Sequence, residues 1–137
     1  MKSFDLKDTA MILIDHQVGT NTWAATTPLE LLKRNVIILA KFATGTGMPL
    51  VLTSSQETNV NVQGPLMPEL AEIAPKAFGG RIKRIGVVNA WDDPAFADAC
   101  RATGKRNFVM AGCPSSGNLR LIRHFEKRGS GSSGVRV

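Results

Sequence analysis

Short apolar runs alternate along this chain with amphipathic helical patterns. The first run, AMILID at residues 10–15, stops abruptly at the polar residues DHQ. Comparable runs follow at residues 49–55 (PLVLTSS) and 107–113 (NFVMAGC). Continuous apolar runs of this length are typical of strands buried on both faces of a parallel sheet. The alternation therefore predicts an α/β fold, a doubly wound, Rossmann-like three-layer sandwich around a central parallel sheet.

The helix after the first run has the clearest signals. Thr27, Pro28 and Glu30 predict an N-cap, a first helical residue and a capping box. Gly45 and Gly47 are expected to end this helix. The residues expected to line its buried face are Leu29, Leu32, Val36, Leu39, Ala40 and Ala43.

Two further helices are predicted between the second and third strands. PELAEIA forms a short one, and Asp93 with Pro94 caps another that ends at Gly104. The basic segment between them, FGGRIKRIGVVNAWDDP, shows no regular pattern. The predicted order of elements is β-α-β-α-α-β.

Length and composition indicate one domain. The 137 residues are 43% hydrophobic, which suffices for one core, so residues 1–137 are treated as a single domain. No apolar run reaches the length of a membrane span and the first ten residues are polar, so a cytoplasmic protein without membrane contact is expected. Two cysteines make no disulfide framework and are expected to be reduced.

The fold pattern weakens after residue 113. NLRLIRHFEKRG is predicted to form one helix with Leu119, Ile122 and Phe125 inward, and GSGSSGVRV resembles a linker. The tail at residues 114–137 also carries +4 of the formal charge of +6. Because aromatic residues do not interleave with these charges, no nucleic-acid partner is expected. A doubly wound domain normally continues with more strands, so the domain is interpreted as incomplete, with an aberrant basic tail.

Three positions carry candidate chemistry. Asp15 closes a buried strand, either as a turn former or as a general base. The cluster Arg81, Lys83 and Arg84 is either a solvated loop or the source of a cation that stabilises an oxyanion. Cys113 ends the third strand, either as a buried thiol or as a nucleophile.

Of two other residues, His16 is not expected to bind a metal ion together with Asp15, and Cys100 is expected in the core. His16 faces away from Asp15 because neighbouring strand residues point to opposite sides, so no metal site is predicted. Cys100 lies one helical turn after Phe96 and is expected in the core.

Together these segments resemble the isochorismatase-like cysteine hydrolases, most closely the YcaC-related subgroup. The matching pieces are MILIDHQVG, PLVLTSS, GPLMPEL, IKRIGVVNAWDD and ATGKRNFVMAG, in that order within residues 5–112. The resemblance implies a doubly wound homo-oligomeric protein without a cofactor. It also implies that a cysteine thiolate, an aspartate base and a Lys or Arg act on a small amide-like or related substrate.

The resemblance also implies roles for particular residues. Asp15 corresponds to the base, and Arg84 corresponds to the cation, with Lys83 as the alternative. The nucleophile of the family lies six residues after the strand-closing glycine, in a pattern like G-V-x-T-E-x-C-V. Counting from Gly112 reaches Asn118, a neutral amide that cannot replace a thiolate. Cys113 lies five residues too early and is the alternative nucleophile.

Further residues are expected to contact substrate. These are Gln17 in the first matching segment and Asn89 and Trp91 in NAWDD.

A shifted reading frame would explain the abrupt departure of the tail. If Gly117 to Arg120 were encoded by GGA AAC CTG CGT, reading one nucleotide later would give Glu-Thr-Cys-Val, which resembles the missing motif. The hypothesis is that the tail from about Cys113 arises in this way.

Three functions remain open from the sequence. One is a cysteine hydrolase, impaired at its nucleophile position. The second is a catalytically silent oligomer or binding subunit of the same fold, although an incomplete sheet would expose an unpaired edge. The third, nucleic-acid binding through the tail, rests on composition alone.

Overall fold

The computed structural model describes residues 5–23, 27–86, 89–112 and 119–123. Its strands are β1 (Thr9–Ile14), β2 (Leu50–Ser55), β3 (Ile82–Arg84), β4 (Asn107–Gly112) and β5 (Leu119–Arg123). Its α-helices are α1 (Leu29–Thr46), α2 (Pro68–Ile73), α3 (Pro75–Gly79) and α4 (Pro94–Ala102). Short 3-10 turns lie at Leu6–Asp8, Thr20–Trp23 and Ala90–Asp92.

The strands form one sheet in the order β3-β2-β1-β4-β5. The pairs β1–β2, β1–β4 and β2–β3 are parallel, and β5 is antiparallel to β4. The chain therefore winds outward from β1 through β2 to β3 and then crosses back to β4. This reversal between β1 and β4 is the switch point of a doubly wound sheet, where ligand sites are commonly found at the carboxyl ends of the strands.

Helices cover the sheet on both faces and bury two apolar clusters. On one face, α1, α2 and α3 pack on residues that include Met11, Leu13, Leu52 and Ala111. On the other face, α4 packs its Phe96 and Cys100 against residues that include Ile12 and Phe108. Alternate residues of β1 enter opposite clusters, as expected for a strand buried on both sides. The predicted three-layer α/β architecture is confirmed.

The start of α1 differs from the prediction. The helix begins at Leu29 with Pro28 as its N-cap, and no side chain donates or accepts a capping hydrogen bond. The predicted capping box of Thr27 and Glu30 is therefore wrong, because Pro28 takes the extended N-cap conformation one residue later than expected. Leu29 is consequently 38% exposed, whereas Leu32, Val36, Ala40 and Ala43 are buried as predicted. At the other end, Gly47 caps the helix at a φ of 70°, a left-handed conformation that favours glycine.

Two strands were not predicted from the sequence. β3 lies in the basic segment that shows no pattern, and it pairs with β2 over only three residues. β5 occupies residues for which a helix was expected, so that prediction is wrong, as is the expectation that no strand follows β4. The sequence LRLIR partly alternates apolar and basic residues with the period of a strand, and β4 offers it an edge with unpaired backbone groups.

Among the helices that the structure describes, none has both the length and the apolar composition needed to cross a bilayer.

Gly19 makes a close backbone contact that leaves no room for a side chain. Its N–H donates to the Gln63 carbonyl at 2.9 Å, and a Cβ at this position would lie 2.8 Å from the same oxygen and closer still to the Val62 oxygen. We expect Gly19→Ala to lower the free energy of unfolding by about 2 kcal/mol, because backbone atoms must move apart.

Gly45→Ala provides the matched control, since nothing lies within 4 Å of its Cβ position. Alanine inside a helix should raise stability by about 0.5–1 kcal/mol. Urea unfolding of both variants checks the pair of expectations. Equal effects of the two substitutions would contradict the steric argument.

Candidate active site

A buried ion pair joins the ends of two strands that are not neighbours. Asp15 follows β1 and Arg84 ends β3, with β2 between them. Arg84 Nη2 donates to Asp15 Oδ1, and Arg84 Nε donates to Thr53 Oγ1 at 3.1 Å. The Arg84 side chain has no solvent exposure and that of Asp15 is 12% exposed. For Arg84, the alternative of a solvated loop is therefore wrong.

The other two cations of the cluster make different contacts. Arg81 donates through Nε to Glu57 at 2.6 Å and stacks on the Phe78 ring at 4.4 Å. Lys83 lies 3.7 Å from Glu57 and is 62% exposed. Of the three basic residues, Arg84 is the one that the structure pairs with Asp15.

The backbone turns sharply at Asp15. Its φ of 56° is left-handed, a conformation that aspartate tolerates better than most residues. Its N–H donates to the Thr53 carbonyl at 3.0 Å, and its own carbonyl accepts from the Gln17 N–H at 2.8 Å. Continued strand geometry would direct Asp15 to the face that holds Met11 and Leu13. The turn ends that alternation, and the carboxylate meets Arg84 instead.

Burial controls the protonation chemistry of Asp15. Loss of solvation raises the pKa of the Asp15 carboxyl, while the hydrogen bond and charge of Arg84 oppose the rise. A raised pKa makes a carboxylate a better proton acceptor near neutral pH. A buried guanidinium beside it can stabilise negative charge that develops on a substrate oxygen.

Gln17 anchors the backbone around this pair. Its Nε2 donates to the carbonyls of Ser55, at 2.8 Å, and of Gly64, and its Oε1 accepts from the Ser55 N–H at 2.8 Å. The side chain is fully buried. These bonds connect the turn after β1 to the end of β2 and to the loop before α2. The predicted substrate contact of Gln17 stays a prediction.

Replacement of Gln17 tests this anchoring role. We expect Gln17→Leu to lower the free energy of unfolding by about 2 kcal/mol, because it leaves the buried Ser55 N–H without its acceptor. Gln17→Glu keeps the acceptor but, as a carboxylate, loses the donors. Protonation at acidic pH restores one O–H donor, so only there should its unfolding midpoint lie between those of the parent and of Gln17→Leu. Chemical denaturation at two pH values checks this. A Gln17→Leu protein as stable as the parent would contradict the anchoring role.

Asn89 and Trp91 lie in the turn that leads to α4. The Asn89 side chain accepts a hydrogen bond from the Trp91 N–H at 3.3 Å and so caps a 3-10 turn. The Trp91 ring packs edge-on against Phe96, with centroids 5.2 Å apart, and against Phe108 at 6.4 Å. These contacts connect Trp91 to the core on the α4 face, and their predicted role in substrate binding stays a prediction.

Of the two cysteines, the structure describes Cys100 and not Cys113. Cys113 and Asn118 lie outside the described residues, so neither nucleophile prediction is tested. Cys100 is buried in α4 among core residues, as predicted, and burial raises the pKa of its thiol to about 12.

A cavity of about 290 Å³ lies on the α1 face, near the carboxyl ends of β1 and β4. Its walls are mainly apolar residues of α1, with Ala111, Gly112 and the buried ring of His16. His16 Nε2 lies 3.2 Å from the Ala111 carbonyl, and burial lowers the pKa of this residue to about 4. The ring is therefore neutral at pH 7. In the described part of the chain, no three His, Cys, Asp or Glu residues come together as a metal site.

Thr53 is the member of this site that sequence reasoning missed. It contacts Arg84 through its hydroxyl and Asp15 through its carbonyl. The only signal in the sequence is the polar end of the second run, LVLTSS, which places a hydroxyl at the carboxyl end of an otherwise apolar strand.

Comparisons with known proteins agree with this fold. No family model matches the chain. The probable hydrolase YcaC of Escherichia coli (strain K12) is 39% identical over 108 residues, which are 79% of this chain and 50% of that protein. Its solved structure, described as an octameric hydrolase of unknown specificity, superposes with a TM-score of 0.73 at 38% identity, over 82% of this chain and 54% of that chain.

Two further solved structures extend the comparison. YcaC from Pseudomonas aeruginosa, solved with hexane-2,5-diol and covalent acrylamide, has a TM-score of 0.74 and 40% identity, over 81% of this chain and 53% of that chain. An isochorismatase from Pseudomonas putida KT2440 shares the fold, with a TM-score of 0.58 at 14% identity over 82% of this chain and 60% of that chain. This chain spans about half the length of the YcaC proteins it matches. It belongs to the isochorismatase-like hydrolase family, in the YcaC-related subgroup.

Proposed function

We propose that the chain carries the acid–base half of a cysteine hydrolase site, for a small substrate with an amide-like or related bond. The observation that carries this proposal is the buried ion pair of Asp15 and Arg84 at the carboxyl edge of the sheet. In the proposed reaction Asp15 accepts the proton of a cysteine thiol, and the thiolate attacks the substrate carbonyl carbon. Arg84 stabilises the oxyanion of the tetrahedral intermediate. Collapse of the intermediate breaks the bond to the leaving group, which takes the proton from Asp15, and water then hydrolyses the thioester. This chemistry needs no metal ion or organic cofactor.

The nucleophile is the part of this site that the sequence lacks. The family position holds Asn118, whose neutral amide cannot attack a carbonyl, and Cys113 is displaced by five residues. A displacement on the ångström scale can already cost about a hundredfold in rate. We therefore propose that this chain is impaired or inactive as a hydrolase, with Cys113 as the substitute nucleophile only if labelling identifies it.

Labelling with acrylamide at neutral pH tests the proposal. Acrylamide is a suitable probe because it is bound covalently in the Pseudomonas aeruginosa relative. In the intact chain we expect slow modification without a fast phase, since the Cys100 thiol is buried with a pKa of about 12. Cys113→Ser and Cys100→Ser variants, followed by mass spectrometry and by amide hydrolysis assays, assign any modified thiol. Fast labelling and hydrolysis that are both lost only in Cys113→Ser would contradict an impaired site.

A second candidate function is that of a catalytically silent oligomer or binding subunit. Apolar side chains near the site favour it: Ile85, directly after Arg84, is 92% exposed, and Val18, Val60 and Val62 are also exposed. A homo-oligomer would bury such residues, and the Escherichia coli relative is an octamer. Analytical ultracentrifugation of the chain and of Ile85→Glu tests this. A monomer in both samples would exclude a role of this surface in assembly.

The remaining proposals concern the whole chain. We propose one domain over residues 1–137 whose basic tail, at residues 114–137, comes from a shifted reading frame. The coding sequence tests this: a +1 frame that encodes neither a nucleophile motif nor a further apolar strand would exclude it. We also propose a cytoplasmic protein that binds no nucleic acid, for which salt-sensitive binding to DNA or RNA would be the contradicting result.

A further inference from the structure

Thr53 lies on β2, directly between the two strands whose ends carry the ion pair. In the sheet register it is opposite Ile14 of β1 on one side and Ile82 of β3 on the other. Arg84 must therefore extend across the end of β2 to reach Asp15. Thr53 is fully buried below this crossing.

The two polar groups of Thr53 contact both partners. Its carbonyl accepts from the Asp15 N–H at 3.0 Å and holds the left-handed turn in place. Its hydroxyl donates to the Ile82 carbonyl at 2.9 Å and accepts from Arg84 Nε at 3.1 Å. A hydroxyl has one hydrogen, and this one is used by Ile82. Toward residue 84 the Thr53 hydroxyl oxygen can therefore act only as an acceptor, so residue 84 must supply the donor.

We propose that Thr53 is a positioning residue that orients the Arg84 guanidinium toward Asp15 and makes arginine, rather than lysine, the cation that fits this site. The proposal rests on the role proposed above for the pair. Two donors of one rigid plane, Nε and Nη2, are held by Thr53 and Asp15, so the orientation of the plane is determined. Lysine carries its donors on a single terminal nitrogen and has no N–H at the place of Nε.

A purely structural role for Thr53 would give different results. If the residue only fills space, valine of nearly equal size should serve, and its effect should not depend on which cation occupies position 84. If the hydroxyl orients Arg84, its removal leaves a buried guanidinium N–H without an acceptor. The effect should then shrink when residue 84 has no such N–H.

A double-mutant cycle in the full-length chain tests the proposal. We expect Thr53→Val to lower the equilibrium constant for folding by about tenfold or more, and Thr53→Ser to retain most of the stability. In the Arg84→Lys background, Thr53→Val should lower the equilibrium constant for folding by a several-fold smaller factor. Equal effects of Thr53→Val in both backgrounds would overturn the proposal.

An NMR titration supplies a readout that lost packing does not move. Thr53→Val should raise the apparent pKa of Asp15 further, because a less well oriented Arg84 opposes its protonation less. Thr9→Val is the matched control: Thr9 is also buried on a strand, and its hydroxyl donates to the Asp5 carbonyl, away from the pair. An Asp15 titration that is unchanged in Thr53→Val, or shifted equally in Thr9→Val, would overturn the positioning role.

A third measurement remains usable if Thr53→Val does not fold. In the parent chain and in Thr53→Ser, the Nε–H of Arg84 should exchange slowly with solvent, and rapid exchange in the parent would overturn the proposal. None of these readouts requires turnover. Strong coupling leaves Thr53 as a positioning residue whether or not the chain hydrolyses a substrate. Absent coupling refutes that role and leaves the proposed function to be decided by the acrylamide labelling and hydrolysis assays.

Discussion

Arg84→Met should lower the free energy of unfolding by about 3–5 kcal/mol. Methionine replaces the unbranched aliphatic stem of Arg84 but not its charge. The Asp15 carboxylate is then buried without its counter-charge, which makes removal of one partner of a buried ion pair costly. The Arg84 side chain is fully buried and donates hydrogen bonds to the side chains of Thr53 and Asp15. Guanidinium chloride unfolding at pH 7 measures the loss.

The chain contains a matched control for this prediction. Arg106 donates through Nε to Asp8 at 2.7 Å, but its side chain is largely exposed. Exposed pairs contribute about 0–1 kcal/mol, so Arg106→Met should have little effect. If Arg84→Met and Arg106→Met lower the free energy of unfolding equally, the pair of Asp15 and Arg84 is not buried in solution and does not form the proposed site.

Replacing both Asp15 and Arg84 separates the effect of an unpaired charge on stability from the effect of lost packing. The double variant Asp15→Leu/Arg84→Met has no uncompensated ion and should lose less stability than the sum of the two single variants. Strict additivity would indicate that the side chains stabilise the fold independently. Activity is expected to be absent in all three variants, so the stability cycle is informative even for an inactive chain.

The sequence predicted those strands whose own residues carry the signal, and missed those that form only beside a neighbouring strand. β1, β2 and β4 are apolar runs because both faces of the sheet are covered, and each was predicted within one or two residues. β3 consists of Ile82, Lys83 and Arg84, a composition that indicates a strand only when β2 is present to pair with it. β5 likewise depends on an available edge of β4.

The candidate site shows the same limit. Asp15 was identified because it ends an apolar run, which is a local signal. Arg84 was assigned by family resemblance, since its reach across β2 to Asp15 depends on a strand order that no local pattern contains. Thr53 was missed for the same reason, because a threonine in a strand is ordinary until the residues on either side of it are known.

His16 should make the fold sensitive to mildly acidic pH. Burial lowers the pKa of its imidazole from 6.5 to about 4, so the folded protein binds this proton less readily than the unfolded chain does. The free energy of unfolding should therefore fall as the pH decreases from 6.5 toward 4. Near pH 4 the stability that the protein gains by keeping His16 neutral should be lost. At one pKa unit per 1.36 kcal/mol, the full loss amounts to about 3 kcal/mol.

His16→Gln isolates this effect. A glutamine amide can still donate to the Ala111 carbonyl that now lies near His16 Nε2, but it takes up no proton in this range. We expect the parent chain to lose stability between pH 6.5 and 4.5 and the variant to lose much less, as measured by urea unfolding at several pH values. The other described residues that line the cavity with His16 carry no charge. Parallel stability curves for the two proteins would show that His16 is already solvated, and the cavity beside it would then be open to water rather than part of the packed α1 face.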